Sequence, residues 1–314
     1  MLGYVLQRIL LSLLITAVAM VALFAMVRMI PGDPVTLMLG ARATPEAIAR
    51  LNAQMGLDQP MLTQIELWFG RIFTGELGTD IWSQRPVVDV VLEALPPTLA
   101  LTFAGIGWAA ALGIPLGCYS AMRPGTLLDR ILSVASVGAI SIPPFVLAIY
   151  CLLFFSVQLG WFPVLGAGED GDFADQLWHL VLPAFAVGLG WVGYLARLVR
   201  ASMIEALAEN HVRTARAMGL PERKVVLTYA LRLGIIPTVT MLGISIGGLL
   251  SSAVLVENVF SRPGLGTLIA DAAQGRNYPV VQGGVLAAVL LFAIAMPISD
   301  LFIAWLDPRV RKSL

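Results

Sequence analysis

The chain has 314 residues, 58% of them hydrophobic and only 13% charged, with no net charge and a mean hydropathy of +0.84. A soluble domain carries about 25% charged and about 45–50% apolar residues, so this composition excludes an ordinary water-soluble globule and points to a bilayer. The balanced charge also argues against a nucleic-acid partner, which calls for a basic excess.

A membrane helix needs about 20 mostly apolar residues. Six stretches meet that need, at 9–29, 98–121, 131–157, 179–198, 235–256 and 283–306. They define an all-α, polytopic membrane protein. The first stretch follows Arg8, and Ala17-Val18-Ala19 resembles a signal cleavage site. Its apolar run exceeds a signal-peptide core, so residues 1–29 read as an N-terminus and a retained first span.

Residues 30–97 form a small helical cap outside the lipid. Thr44-Pro45-Glu46 supplies an N-cap, a proline at the first helical position and an acid in the first turn. That helix is expected to stop at Gly56. Pro60 opens a second helix with Leu62, Ile65, Trp68, Phe69 and Ile72 at helical spacing, and Pro86 opens a third. The cap is either a lid over the span ends or a docking surface for a delivery protein.

Residues 98–314 hold the remaining five spans. Cys118 and Cys151 fall in apolar runs and read as small packing residues. Pro143 and Pro144 remove two backbone donors from span three, as a static kink or a hinge. Span four is glycine-rich and carries Pro183. His179 and His211 lie far apart with no Cys/His cluster beside them, so no metal site built by this chain is expected.

The segment 199–234 is the longest on its side of the membrane. Residues 201–218 contain good helix formers and no Gly or Pro, which predicts a continuous helix. Gly219 then suits the position after a helix, Pro221 blocks continuation, and a second helix follows. Val212, Ala215, Met218 and Leu220 are expected around the turn as a small apolar tip fitted to a partner's groove. Ala215 and Gly219 share a side at i and i+4. The blander alternative is a basic surface helix lying on anionic lipid.

Beyond span five, Gly264-Leu265-Gly266 follows Pro263 and reads as a turn. The chain has no GxxxxGK[ST] phosphate loop, so no nucleotide site of its own is expected. Asp300 lies late in span six, where an acid needs a partner or water, and reads as a structural partner rather than a proton relay.

Charge sets the expected orientation. With both termini inside, the inner segments collect thirteen basic residues, including Arg197, Arg200, Arg213, Arg216, Arg223, Lys224 and Arg232, against five acids. The outer segment between spans three and four holds Glu169, Asp170, Asp172 and Asp175 with no Lys or Arg. No pore ring suggests a channel, and no HExxH or GxSx-type serine site suggests an intramembrane enzyme.

The run Ala206–Arg232, ALAENHVRTARAMGLPERKVVLTYALR, resembles the cytoplasmic coupling loop of ABC importer permeases, in the dipeptide/oligopeptide/nickel branch. Against the general importer pattern, Ala215, Gly219 and Leu231 match, while Arg213 replaces the usual glutamate and the closing proline is missing. Other similar runs span the chain in order: MIPGDPV (29–35), GLDQP (56–60), SIPPF (141–145), GEDGDF (168–173), ENVFSRPGLGTLI (257–269), RNYPVVQGGVL (276–286) and DPRVR (307–311).

The resemblance implies roles that composition cannot supply. Arg213, Thr214, Ala215, Arg216, Ala217, Met218, Gly219, Leu220 and Leu231 would form the ATPase-coupling loop. Pro143 and Pro144 would be a span-three hinge, and Phe260, Pro263, Gly264, Gly266, Tyr278 and Pro279 would belong to a periplasmic gate or loop. It implies a bacterial inner-membrane protein that works with a second homologous permease, two cytoplasmic ATPases and a periplasmic binding protein. ATP and Mg would bind the ATPases. The implied solutes are di- and oligopeptides, with glutathione or chelated nickel as the alternative.

Overall fold

The computed structural model describes residues 2–29, 44–55 and 58–306. The MIPGDPV run beyond Met29, the Gly56 stop, the DPRVR run and the side chains of Leu62 and Asp300 lie outside the described residues. Among the described residues the architecture is helical, with one isolated bridge between Thr79 and Pro86.

Helix α1 is Leu2–Met29 and carries an apolar stretch at Leu10–Ala25. Helices α2 (Pro45–Met55) and α3 (Met61–Thr74) begin at the prolines that predicted them. Trp68, Phe69 and Ile72 of α3 pack against Met20 and Leu23 of α1 and against Leu286. That half of the cap is therefore seated on the spans.

Helix α4 runs unbroken from Val87 to Met122. The sequence predicts a cap helix and a separate span meeting at residue 97, so this is a correction. Pro96 and Pro97 sit inside the helix and remove only their own two donors. Packing holds both sides of that point, through Val87 and Val91 on one and Leu101 on the other.

The expected third span is broken into helices α5 (Leu127–Ser141) and α6 (Pro144–Gln158), bent by 97°. The residue before a proline is driven out of the α region. Ile142 and Pro143 both take extended ψ values, 120° and 137°, and Pro144 starts the next helix. Two consecutive prolines thus make a corner, where one would leave a kinked helix.

Helix α7 (Phe173–Ala208) absorbs span four and continues beyond it, Pro183 included. Its closest partner is α4. Gly105, Ala109, Gly113, Gly117 and Ala121 recur every four residues on α4, all buried. A Cβ at Gly117 would lie 2.6 Å from the Ala196 carbonyl oxygen, and one at Gly188 would lie 2.5 Å from that of Gly105. Small residues let two backbones approach where lipid offers no hydrophobic drive. Trp108 donates its indole N–H to the Ala184 carbonyl at 2.7 Å and stacks on Phe185.

Helices α8 (Asn210–Ala217) and α9 (Glu222–Gly234) follow, α9 containing a π-helical stretch at Val225–Ala230. Helix α10 (Ile236–Val259) leaves α9 at a 48° bend. The Gly264-Leu265-Gly266 run, which reads as a turn in sequence, opens helix α11 (Leu265–Gln274), and α12 is Tyr278–Leu306. Helices α4, α7 and Tyr278–Ala295 of α12 are long and apolar enough to cross a membrane; the two bent pairs are apolar enough if each is one span.

Candidate functional site

The expected coupling turn and the expected gate residues stand at opposite ends of α4. At the first end, α7 stops at Ala208 because Glu209 is extended (φ −65°, ψ 148°). This corrects the continuous helix predicted for 201–218. Nothing local forces the break. It lets α8 fold back, so that Val212 and Ala215 bury against Met203, Ala206, Val225, Val226 and Ala230. Both are at most 3% exposed, so they root the turn in this chain rather than offering an apolar tip outward, a second correction.

Helix α8 ends as Gly219 predicts. Gly219 takes φ +76°, the Leu220 amide donates to the Ala215 carbonyl, and the Gly219 amide donates to that of Arg216. These two bonds form a Schellman cap. Outside it, Arg216 grips Glu222 with two bonds, Nε to Oε2 at 3.1 Å and Nη2 to Oε1 at 2.7 Å. That fork lowers the Glu222 pKa. The knuckle left facing outward comprises Arg213, Thr214, Arg216, Ala217, Met218 and Gly219, with Met218 74% exposed. Leu220 and Leu231 are half-buried against the core beneath.

A second polar joint fixes the same end. Asp129, on the first turn of α5, accepts two bonds from Arg200 of α7 at 2.6 and 2.9 Å. The Ser120 hydroxyl of α4 and the Gly125 amide also donate to it. Arg200 first, then Ser120 and Gly125, hold its carboxyl well below the usual carboxylate range. In the sequence, Asp129 and Arg200 stand out only as two of the inner-segment charges. The one available signal was an acid at the start of a helix amid basic neighbours.

At the opposite end, Glu257 of α10 is completely buried. Its Oε1 accepts from the Thr98 hydroxyl at 2.6 Å, and its Oε2 accepts from the Gly266 and Thr267 amides at 2.9 and 3.3 Å. The Leu265 amide donates to Thr98 Oγ1 at 2.7 Å. A carboxylate from another helix thus satisfies the free N–H groups that open α11, at the positive end of its dipole. Gly266 has to lack a side chain, since a Cβ there would overlap Val254 and the carboxylate. The nearby Arg262 is 5% exposed, with Nε and Nη1 unpartnered.

The expected gate residues are therefore mostly interior. Phe260 is buried, and its carbonyl accepts from Gly166 at 2.9 Å. Gly264 caps α11 in extended backbone, and Tyr278 is buried. Pro263 alone of the group is exposed, and Pro279 lies beside Gly78. Asn277 donates to Asp80, tying the α3–α4 loop to the start of α12. Among the described residues, no three His, Cys, Asp or Glu side chains converge as metal ligands would.

Comparison with known proteins adds what geometry cannot. Residues 113–312 match the family described as binding-protein-dependent transport system inner membrane component, and residues 1–102 match its N-terminal companion. The glutathione transport system permease protein GsiC of Escherichia coli (strain K12) is 37% identical over 311 residues, 99% of each chain. GsiC of Shigella flexneri serotype 5b (strain 8401) matches to the same extent. The inward-facing MetNI methionine ABC transporter shares the fold, with a TM-score of 0.58 at 21% identity over 69% of this chain and 96% of that one.

Proposed function

Since the chain belongs to the family of inner membrane components of binding-protein-dependent transport systems, we propose that it forms half of the translocation path of an ATP-driven importer for small peptides, glutathione foremost. Glutathione is placed ahead of general di- and oligopeptides because the relatives that match end to end carry that name. Both termini and the 199–234 segment face the cytoplasm in this reading, as the basic residues there favour.

The observation that carries the reading is the knuckle Arg213–Gly219. It is outward-facing, closed at its Gly219 end by the Schellman cap and rooted in the spans through Val212 and Ala215. Such a turn moves as a rigid body with whatever grips it, and passes that motion to α7 and α9. ATP binds the partner ATPases, and their closure displaces the turn. The spans then exchange inward for outward access. Loaded binding protein and ATP act by preferring states other than the resting one.

Reconstituting this chain with its second permease, its ATPases and its binding protein tests the reading. Uptake of labelled glutathione should require ATP and loaded binding protein, and a dipeptide should compete poorly. Uptake of dipeptide in preference to glutathione would return the solute to the broader class. Hydrolysis by the chain alone would end the permease reading.

A further inference from the structure

The strongest feature that the transport reading leaves unused is an open cleft of about 380 Å³ between α1, α4, α10, α11 and α12. Its walls include Ile15 and Ala19 of α1, Ile269 of α11, and Val289 and Phe292 of α12. At about 30 Å³ per water-sized group, it has room for about a dozen.

Water is a poor occupant. A buried water needs two to four polar partners, and the polar side chain lining the cleft is that of Thr98. Its hydroxyl already donates to Glu257 and accepts from Leu265. Vacancy is also poor, because lining atoms facing a void forfeit their dispersion contacts. The occupant has to be apolar, slender and able to enter from the side.

The entry is visible on α1. Ile15 lines the cleft and is 48% exposed, within a stripe that includes Leu11, Leu14 and Val18. The cleft therefore opens onto the apolar exterior of a membrane span at mid-helix depth. On the membrane placement proposed above, the solvent beside that stretch of α1 is hydrocarbon. Thr98 and Val254 place it toward the α11 end of the bundle, in the outer leaflet on the orientation proposed above.

We infer that this cleft seats one acyl chain of a bilayer phospholipid. The chain packs beneath α11, whose first turn Glu257 fixes, so the bilayer acts on the helix next to the expected gate. The inference rests on membrane placement and on no particular solute.

The test uses the assembled transporter in nanodiscs containing a phosphatidylcholine with a diazirine on one acyl chain. After irradiation, adducts are mapped by mass spectrometry. Adducts are expected on α11 and around Val289–Phe292. Ala19→Trp and Val289→Trp should each lower those adducts by roughly fivefold by filling the cleft. Adducts on the exposed α5 face at Val134 and Val137 should not change. Wild type alone decides the matter if a variant fails to assemble, since an unlabelled α11 overturns the inference. Adducts unchanged by both fillings overturn it as well. Displacement by excess glutathione would assign the cleft to the solute path, and cross-links from residues 30–43 or the second permease filling it would assign it to protein. Solute-stimulated hydrolysis, read in the same nanodiscs, reports separately on the transport reading.

Discussion

The two ends of α4 hold their turns in opposite ways. At the 209–234 end the cap is local: Gly219, two backbone bonds to residues of α8, and a surface fork from Arg216 to Glu222. At the other end the cap is remote. Glu257 closes the start of α11 together with Thr98, 159 residues away in sequence. The first end leaves its knuckle exposed, while at the second Glu257, Thr98, Leu265 and Gly266 are all buried. A local, exposed cap fixes a shape at small cost and leaves a surface for a partner. A remote, buried one welds helices together and fails severely when one member is lost.

The sharpest way to break this comparison is Glu257→Leu. It orphans the Gly266 and Thr267 amides in a buried site, at about 1–3 kcal/mol each. The solubilised complex should lose most of its thermal stability or fail to assemble. Glu257→Gln should be milder, because its one remaining carbonyl oxygen can still accept. A Glu257→Leu complex with an unchanged unfolding temperature would mean that the joint is incidental.

Asp129→Asn should rank second. It halves the acceptor strength facing Arg200 and leaves that guanidinium half-paired. The pH dependence follows from the depressed carboxyl of Asp129. Its stabilisation is fully present above the ordinary value near ~4 and is lost as pH falls through the folded value. Wild type should therefore lose stability on acidification below ~4, and Asp129→Asn should flatten part of that slope. Equal acid slopes in both proteins would remove Asp129 from the account.

What the sequence made legible follows the same division. Gly219, Pro221, Pro45 and Pro60 act within their own turns, so their effects were readable. The break at Glu209 was not, because packing of Val212 and Ala215 decides it. Helix α11 was hidden because its cap is a carboxylate on α10. Pro143-Pro144 announced a disturbance, but a 97° corner needs extended ψ at both Ile142 and Pro143. The four-residue spacing from Gly105 to Ala121 was present in the sequence and marks the α4–α7 contact. It is recognisable as a seam only once the partner helix is known.

Gly219 tests the exposed end more gently. At φ +76° a Cβ costs about 1 kcal/mol, and among the described residues no atom beyond its chain neighbours lies within 4 Å to add a clash. Gly219→Ala should lower stability by only that amount. Gly219→Trp should fold comparably yet lose capture of the ATPases, because the added bulk faces outward. Tagged permease should retain the second permease and fail to pull down the ATPases. Normal capture and uptake by Gly219→Trp would reduce the knuckle to a surface loop.

Glu222→Gln should have the smallest effect on stability, within about 0–1 kcal/mol, because its partner Arg216 is also exposed and salt screens the pair. Its value lies in separating stiffness from stability. Without the fork, the knuckle keeps its Schellman cap but loses the brace between α8 and α9. If the turn transmits motion as a rigid body, solute moved per ATP hydrolysed should fall in Glu222→Gln while the unfolding temperature holds. Wild type in high salt, with its fork screened, should drift toward the same ratio, and the variant should respond less to salt. A variant whose ratio and salt response both equal those of wild type would show that the cap alone stiffens the turn. Coupling would then be carried by the burial of Val212 and Ala215, and the fork would be a surface ion pair without mechanical consequence.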